Sequence, residues 1–228
     1  MGFILSAIAP VVIVLFYVYF RDKYDKEPIG LLLKALLAGG LVVLPIILVE
    51  TWLTRMMPPL GRVGQAGYTA FVVAAFTEEL FKLLALYLLV WRAKAFNEQF
   101  DGIVYAVFVS LGFAAVENIM YVMEAGYQTA MLRALTAVPA HAIFGITMGY
   151  YFGVARIYEE LRRDYLRRAF LVPLLLHGIY DFIIMLEVEL LLFVFVGYLV
   201  YLYFFGFKKM RVLSKASAFK PDDADLGL

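Results

Sequence analysis

Inside one apolar stretch, Thr77-Glu78-Glu79-Leu80-Phe81-Lys82 sets two adjacent carboxylates beside an ammonium. Glu78 and Lys82 are four residues apart, the favourable order for a helical ion pair, and Glu79 lies on the adjoining face. Lys82 can neutralise one carboxylate and leave the other to act on water as a general base. The plainer alternative is an ion pair that locks helices together. Glu117 follows Phe113 by four residues, and small residues at 112, 114 and 115 let another helix come close; the alternative is a glutamate reaching to the membrane interface. His141 precedes Phe144 by three residues. His177 precedes Asp181 by four, so the two share a helix face and the carboxylate can fix the imidazole's tautomer and orientation. Pro173, four residues before His177, removes a backbone hydrogen bond and can kink a helix there. His141 and His177 are the only histidines in the chain. Cysteine is absent, which excludes disulfides, thiolate zinc sites and a cysteine nucleophile.

The surroundings of these residues are those of a membrane. Of 228 residues, 64% are hydrophobic and 17% charged, whereas ordinary globular domains are about 45–50% apolar and about 25% charged. A bilayer core takes about 20 apolar residues per spanning helix. The sequence supplies seven such spans, at about 3–20, 29–54, 68–91, 102–123, 132–155, 169–186 and 190–207. The expected fold is all-α, a polytopic transmembrane helix bundle. Residues 1–207 are read as a single transmembrane catalytic domain and 208–228 as a basic-then-acidic cytoplasmic tail. The net charge of +1 gives no bias toward nucleic acid. The first apolar segment has no basic residue before its core, unlike a cleaved signal peptide, and is read as a retained helix.

Orientation follows from the basic residues. With the N-terminus outside and the C-terminus inside, fifteen Lys and Arg fall on the inner side. Only Arg55, Arg62 and Arg133 fall on the outer side, while Lys34 and Lys82 lie within spans. This is the positive-inside pattern. A charge at the bilayer centre costs about 2.5–3.5 kcal/mol, so such groups face the bundle interior and usually serve function. In this topology Glu78, Glu117, His141, His177 and Asp181 lie about ten, six, nine, nine and five residues from the outer ends of their spans. At about 1.5 Å per residue they share one slab in the outer half of the bilayer, which reads as one water-filled site opening outward. Glu50 and Arg55 are expected to pair, and Glu124, Glu187 and Glu189 to sit at the outer interface. Asp22, Asp25 and Glu27 are expected to offset nearby basic residues, and 156–168 to form an interfacial basic segment.

Together these residues resemble the PrsW family of intramembrane proteases. Glu78-Glu79 with Lys82, Phe113 with Glu117, His141 with Phe144, and His177 with Asp181 match its four motifs in order, on four successive spans. The acidic and basic segment ending at Pro28 also looks like the family. The resemblance implies a glutamic-type endopeptidase of a bacterial or archaeal plasma membrane, related to the CAAX-processing and bacteriocin-processing membrane endopeptidases. Its partners would be the lipid bilayer and a single-span membrane protein cut on the extracytoplasmic side, as in the first cleavage of an anti-sigma factor in a stress response. Glu78, with Glu117, would activate water; Lys82 and Glu79 would set the base's charge and position. His177, oriented by Asp181, would polarise the carbonyl or stabilise the oxyanion, and His141 would complete either shell. This reading needs no cofactor.

Two rival readings use the same residues. Glu78, Glu117, His141 and His177 could ligate zinc in a metalloprotease, although the usual H-E-x-x-H helix is absent. Intramembrane carboxylates and imidazoles also form the relays of proton-coupled transporters; the gathering of the groups at one depth and the lack of an inverted repeat speak against that.

Overall fold

The structure is a computed structural model, and it describes residues 2–217 and 219. Among them every regular element is helical. Helix α1 (Gly2–Arg21) leads through a loop ending at Pro28 into α2 (Ile29–Leu41) and α3 (Val43–Arg55). The break between α2 and α3 has a local cause: Pro45 has no N–H to give the Leu41 carbonyl four residues back. After a loop holding Pro58, Pro59 and Gly61, α4 (Arg62–Tyr68) continues into a π-helix (Thr69–Ala75) and then α5 (Phe76–Val90). Helix α6 (Gln99–Ala125) starts from a capping box between Glu98 and Asp101 and stops at Gly126, whose φ of 83° suits glycine. The short α7 (Tyr127–Leu135) turns at Thr136 into α8 (Ala137–Ile157). A 3-10 turn at Glu159–Leu161 precedes α9 (Arg162–Met185), and α10 (Leu191–Lys215) closes the bundle.

Among the described residues, six stretches are long and apolar enough to cross a membrane: Ile4–Arg21, Ile29–Arg55, Gln99–Ala125, Tyr127–Ile157, Glu159–Met185 and Leu191–Lys215. The seventh expected span, at about 68–91, lies in the helical run 62–90, which is set apart from the six by Glu78, Glu79 and Lys82. Three boundaries differ from expectation. The basic segment 156–168 is split between elements: Arg156 sits in the last turn of α8, and Arg162, Arg163, Arg167 and Arg168 lie in the first turns of α9. The fifth span begins as two helices, so Arg133 sits on α7 and His141 on α8. The basic part of the 208–228 tail continues α10 to Lys215, while Asp222, Asp223 and Asp225 lie outside the described residues.

Helix α6 is the axis of the bundle, buried from Phe100 through Ala114. Its neighbours reach it through glycine. A Cβ added at Gly112 would stand 2.0 Å from the Leu36 carbonyl oxygen on α2, and one at Gly149 on α8 would stand 2.2 Å from the Gly102 carbonyl oxygen. Backbones can approach this closely only where no side chain intervenes. Helix α10, by contrast, buries only Leu202, Gly206, Met210 and Leu213.

At the N-terminal end of α6, Asp22, Glu27 and Asp101 are buried together. Asp101 Oδ2 accepts from the backbone N–H of Asn97 and of Glu98, at 2.9 and 2.8 Å. The Tyr105 hydroxyl donates to Glu27. Lys26 Nζ donates to the backbone carbonyls of Tyr19 and Asp22 at 2.9 and 2.7 Å. Burial, reinforced by the neighbouring Asp101 carboxylate, pushes Glu27 up to about 10, and the same two causes push Asp22 up to about 7.

Candidate active site

About 24 Å along α6 from Asp101, Glu117 opens a second polar centre. All seven residues singled out in the sequence meet there. Lys82 Nζ donates to Glu78 Oε2 and to Glu79 Oε1, each at 2.9 Å. It also lies 3.3 Å from His141 Nδ1. An ammonium can only donate, so Nδ1 accepts and the opposite edge of the ring, Nε2–H, donates to Glu117 Oε2 at 2.9 Å. His177 Nδ1 stands 3.0 Å from Glu79 Oε1, and its Nε2 stands 3.3 Å from Asp181 Oδ2. The network therefore runs without a gap from Glu117 through His141, Lys82, Glu79 and His177 to Asp181, across α6, α8, α5 and α9.

The aromatic partners in the motifs form the walls of this network. Lys82 Nζ lies 4.1 Å from the centre of the Phe113 ring, a cation–π contact. Phe144 stacks on His177 with ring centres 4.8 Å apart. The Ser110 hydroxyl donates to the His141 carbonyl oxygen at 2.7 Å and ties α8 to α6 beside the site. The π-helix lays Phe71 over Gly178, where an added Cβ would come within 2.2 Å of the ring.

Burial separates the two adjacent glutamates. Glu79 and Lys82 are fully buried, whereas Glu78 borders a cavity of about 660 Å³ together with Glu117, His141, His177 and Asp181. Glu117 and Asp181 are the more open, with side chains 19% and 18% exposed. Glu79 Oε2 is buried with no hydrogen-bond partner. Each carboxylate that borders the cavity also has an oxygen outside the contacts just given, so a substrate or water entering it meets Glu78, Glu117 and the Asp181 edge of His177 first.

Glu50, Glu124 and Arg133 also belong to the site. Glu50 borders the cavity, and no ion pair joins it to Arg55 among the described residues. Glu124 borders it too. Arg133, counted only as an outer charge, donates to Glu117 Oε2 at 2.7 Å and to Asn118 Oδ1 at 2.8 Å. Its signal was a lone arginine in a short amphipathic segment. Its target depended on the turn at Thr136, which no local pattern announced.

A metal site can be tested against the same atoms. Among the described residues, Glu78, Glu79 and His141 each offer a ligand atom within 4.8 Å of the others, a donor set that zinc accepts. Glu79 thus takes the place of Glu117 and His177 in the quartet expected for zinc. The Lys82 ammonium, however, already contacts one atom of each of these three residues, at 2.9, 2.9 and 3.3 Å. A divalent ion seated there would put two cations in one cage. The donor set does not fit a metal while Lys82 holds it.

A sequence-family model described as "PrsW family intramembrane metalloprotease" matches residues 27–207. A protein named Protease PrsW from Geobacillus kaustophilus is 41% identical over 180 residues, covering 79% of this chain and 78% of its own. Proteins of the same name from Clostridioides difficile and Bacillus subtilis are 37% and 36% identical, covering 91% and 90% of this chain and 89% and 93% of theirs. No solved structure matches the chain.

Proposed function

Because the chain belongs to the PrsW family of intramembrane proteases, we propose that it hydrolyses a peptide bond of a membrane-anchored protein through water activated by glutamate. The observation that carries this mechanism is the Lys82 ammonium seated among Glu78, Glu79 and His141 while Glu78 and Glu117 border the cavity. Glu78, backed by Lys82, accepts a proton from water; Glu117, held by His141, orients that water from the facing helix. The resulting hydroxide attacks the scissile carbonyl carbon. His177 Nε2–H, held only at 3.3 Å by Asp181, turns toward the oxyanion as it forms, a donor placed where charge develops. Glu78 then returns its proton to the leaving nitrogen as the C–N bond breaks.

The substrate we favour is a single-span protein cut on the extracytoplasmic side, with an anti-sigma factor as the leading candidate. The Lys/Arg asymmetry of the loops supports the side, and the family resemblance supports the substrate class. A metal-dependent reaction is the second reading, favoured by the family's description and by the three donor atoms within 4.8 Å.

The test uses protein purified in detergent, with its metal content measured. Wild type, Glu78→Gln and His177→Ala are assayed on a panel of single-span substrates that includes an anti-sigma factor, with and without chelator. Wild type is expected to cut, each variant to lose at least about 10²-fold in kcat, and chelator to change nothing. Loss of activity on chelation with recovery on added zinc would overturn the mechanism. Cleavage products recovered from intact cells fix the side of the cut.

A further inference from the structure

Glu117 Oε2 accepts two donors at once: Arg133 Nη2 at 2.7 Å and His141 Nε2–H at 2.9 Å. Arg133 reaches this point from α7, and its guanidinium is fixed at three places on one face of α6. Beside Glu117, its Nε–H donates to Asn118 Oδ1 at 2.8 Å, and its plane lies 4.1 Å over the centre of the Tyr121 ring. Asn118 in turn donates from Nδ2 to the Ala7 carbonyl oxygen on α1 at 2.7 Å. Ala7, Val122 and Ala130 pack together around this junction of α1, α6 and α7.

The terminal torsion of a glutamate is soft and roughly two-fold, so a carboxylate with one donor can swing. Two donors converging on a single oxygen remove that freedom and leave the other oxygen, Oε1, for the cavity that Glu117 borders. From this geometry we infer that Arg133 is a positioning residue, which fixes the oxygen that Glu117 offers to the reacting water. The inference rests on the role proposed above for Glu117. It gives α7 a task that none of the four motif-bearing helices can perform, because Arg133 supplies the only Lys or Arg contact to Glu117 among the described residues.

Arg133→Ala is expected to lower kcat about 10- to 100-fold, the loss of one charge-assisted hydrogen bond, with KM changed less than about twofold. Arg133→Lys is expected to keep the melting temperature but recover little of kcat, because one ammonium cannot serve Glu117 and Asn118 together as the planar fork does. Added guanidinium chloride at millimolar concentration is expected to restore part of the Arg133→Ala rate and none of the Arg133→Lys rate. A wild-type kcat in Arg133→Ala overturns the inference. So does a loss that follows a lowered melting temperature and resists guanidinium, because that is the signature of a purely structural ion pair. Should Arg133→Ala fail to accumulate, Arg133→Lys decides: full activity overturns the inference, and a selective loss of kcat supports it. If Glu117→Gln cuts like wild type, the role of Glu117 falls and this inference with it; if Arg133→Ala cuts like wild type while Glu117→Gln does not, only the inference falls.

Discussion

Lys82 is the residue at which three of the other six meet. It is fully buried and touches Glu78, Glu79 and His141 together. Replacing it by Met leaves two adjacent carboxylates and an imidazole nitrogen without their common donor. Removing one partner of a buried pair typically costs about 3–5 kcal/mol, so Lys82→Met is expected to lower the melting temperature sharply and to abolish cleavage. Thermal unfolding in detergent, followed beside Glu78→Gln, checks this; a Lys82→Met protein that melts like wild type would refute it. The pairs Glu78–Lys82 and His177–Asp181 were legible in the sequence because a spacing of four closes them within one helix. The contacts His141–Glu117, His141–Lys82 and His177–Glu79 were not, because each joins two helices whose rotation is set by packing alone. Arg133 illustrates the same limit, since its partners are 15 and 16 residues back along a chain that reverses in between.

Among the elements, α6 carries the arrangement because α2 and α8 press against its backbone. Gly112→Ala forces a Cβ to within 2.0 Å of the Leu36 carbonyl oxygen, and backbone cannot give way as a side-chain tip can. The expected cost is about 3 kcal/mol, read as a lower melting temperature with cleavage per folded molecule largely kept. Gly178→Ala is expected to do the reverse. Its Cβ would meet the Phe71 ring at 2.2 Å and push α9 from the π-helix, moving His177 off Glu79. A misplacement of about 1 Å can cost about 10²-fold in rate, so kcat should fall more than stability; equal losses in both would contradict this. The sequence announced the helices through their apolar runs, and Pro45, Gly126 and the loop prolines explain where they stop. It did not announce the π-helix or the break at Thr136, which reflect contacts with distant segments.

For the whole molecule, the two buried polar centres lie at opposite ends of α6 and answer different questions. The Asp22, Glu27 and Asp101 group is remote from the cavity, so its chemistry concerns stability. Glu27 is held up to about 10 from its usual 4.5, so the folded chain keeps a proton there that the unfolded chain releases near pH 4.5. Stability from this group is full below that value and is lost as pH rises toward 10. The melting temperature is therefore expected to fall between about pH 5 and pH 9, and Glu27→Gln, which keeps an acceptor for Tyr105, is expected to flatten that slope. An unchanged slope in the variant would remove Glu27 from the account. At this scale composition alone disclosed a polytopic helical bundle, while the joining of four apolar stretches and one charged run around a cavity needed the assembled structure.

The wide turns at Thr69–Ala75 carry a consequence for descent. A π segment holds one residue more than the α-helix it interrupts, while the flanking turns keep their faces. It therefore has the form of a single-codon insertion into an ancestral helix that already presented Glu78 and Glu79. A homologue lacking one codon in this interval would keep both glutamates in phase and forfeit only the swelling that seats Phe71 on Gly178. Sequence comparisons across lineages should then reveal a one-residue gap confined to 69–75, accompanied by a bulkier residue where Gly178 stands.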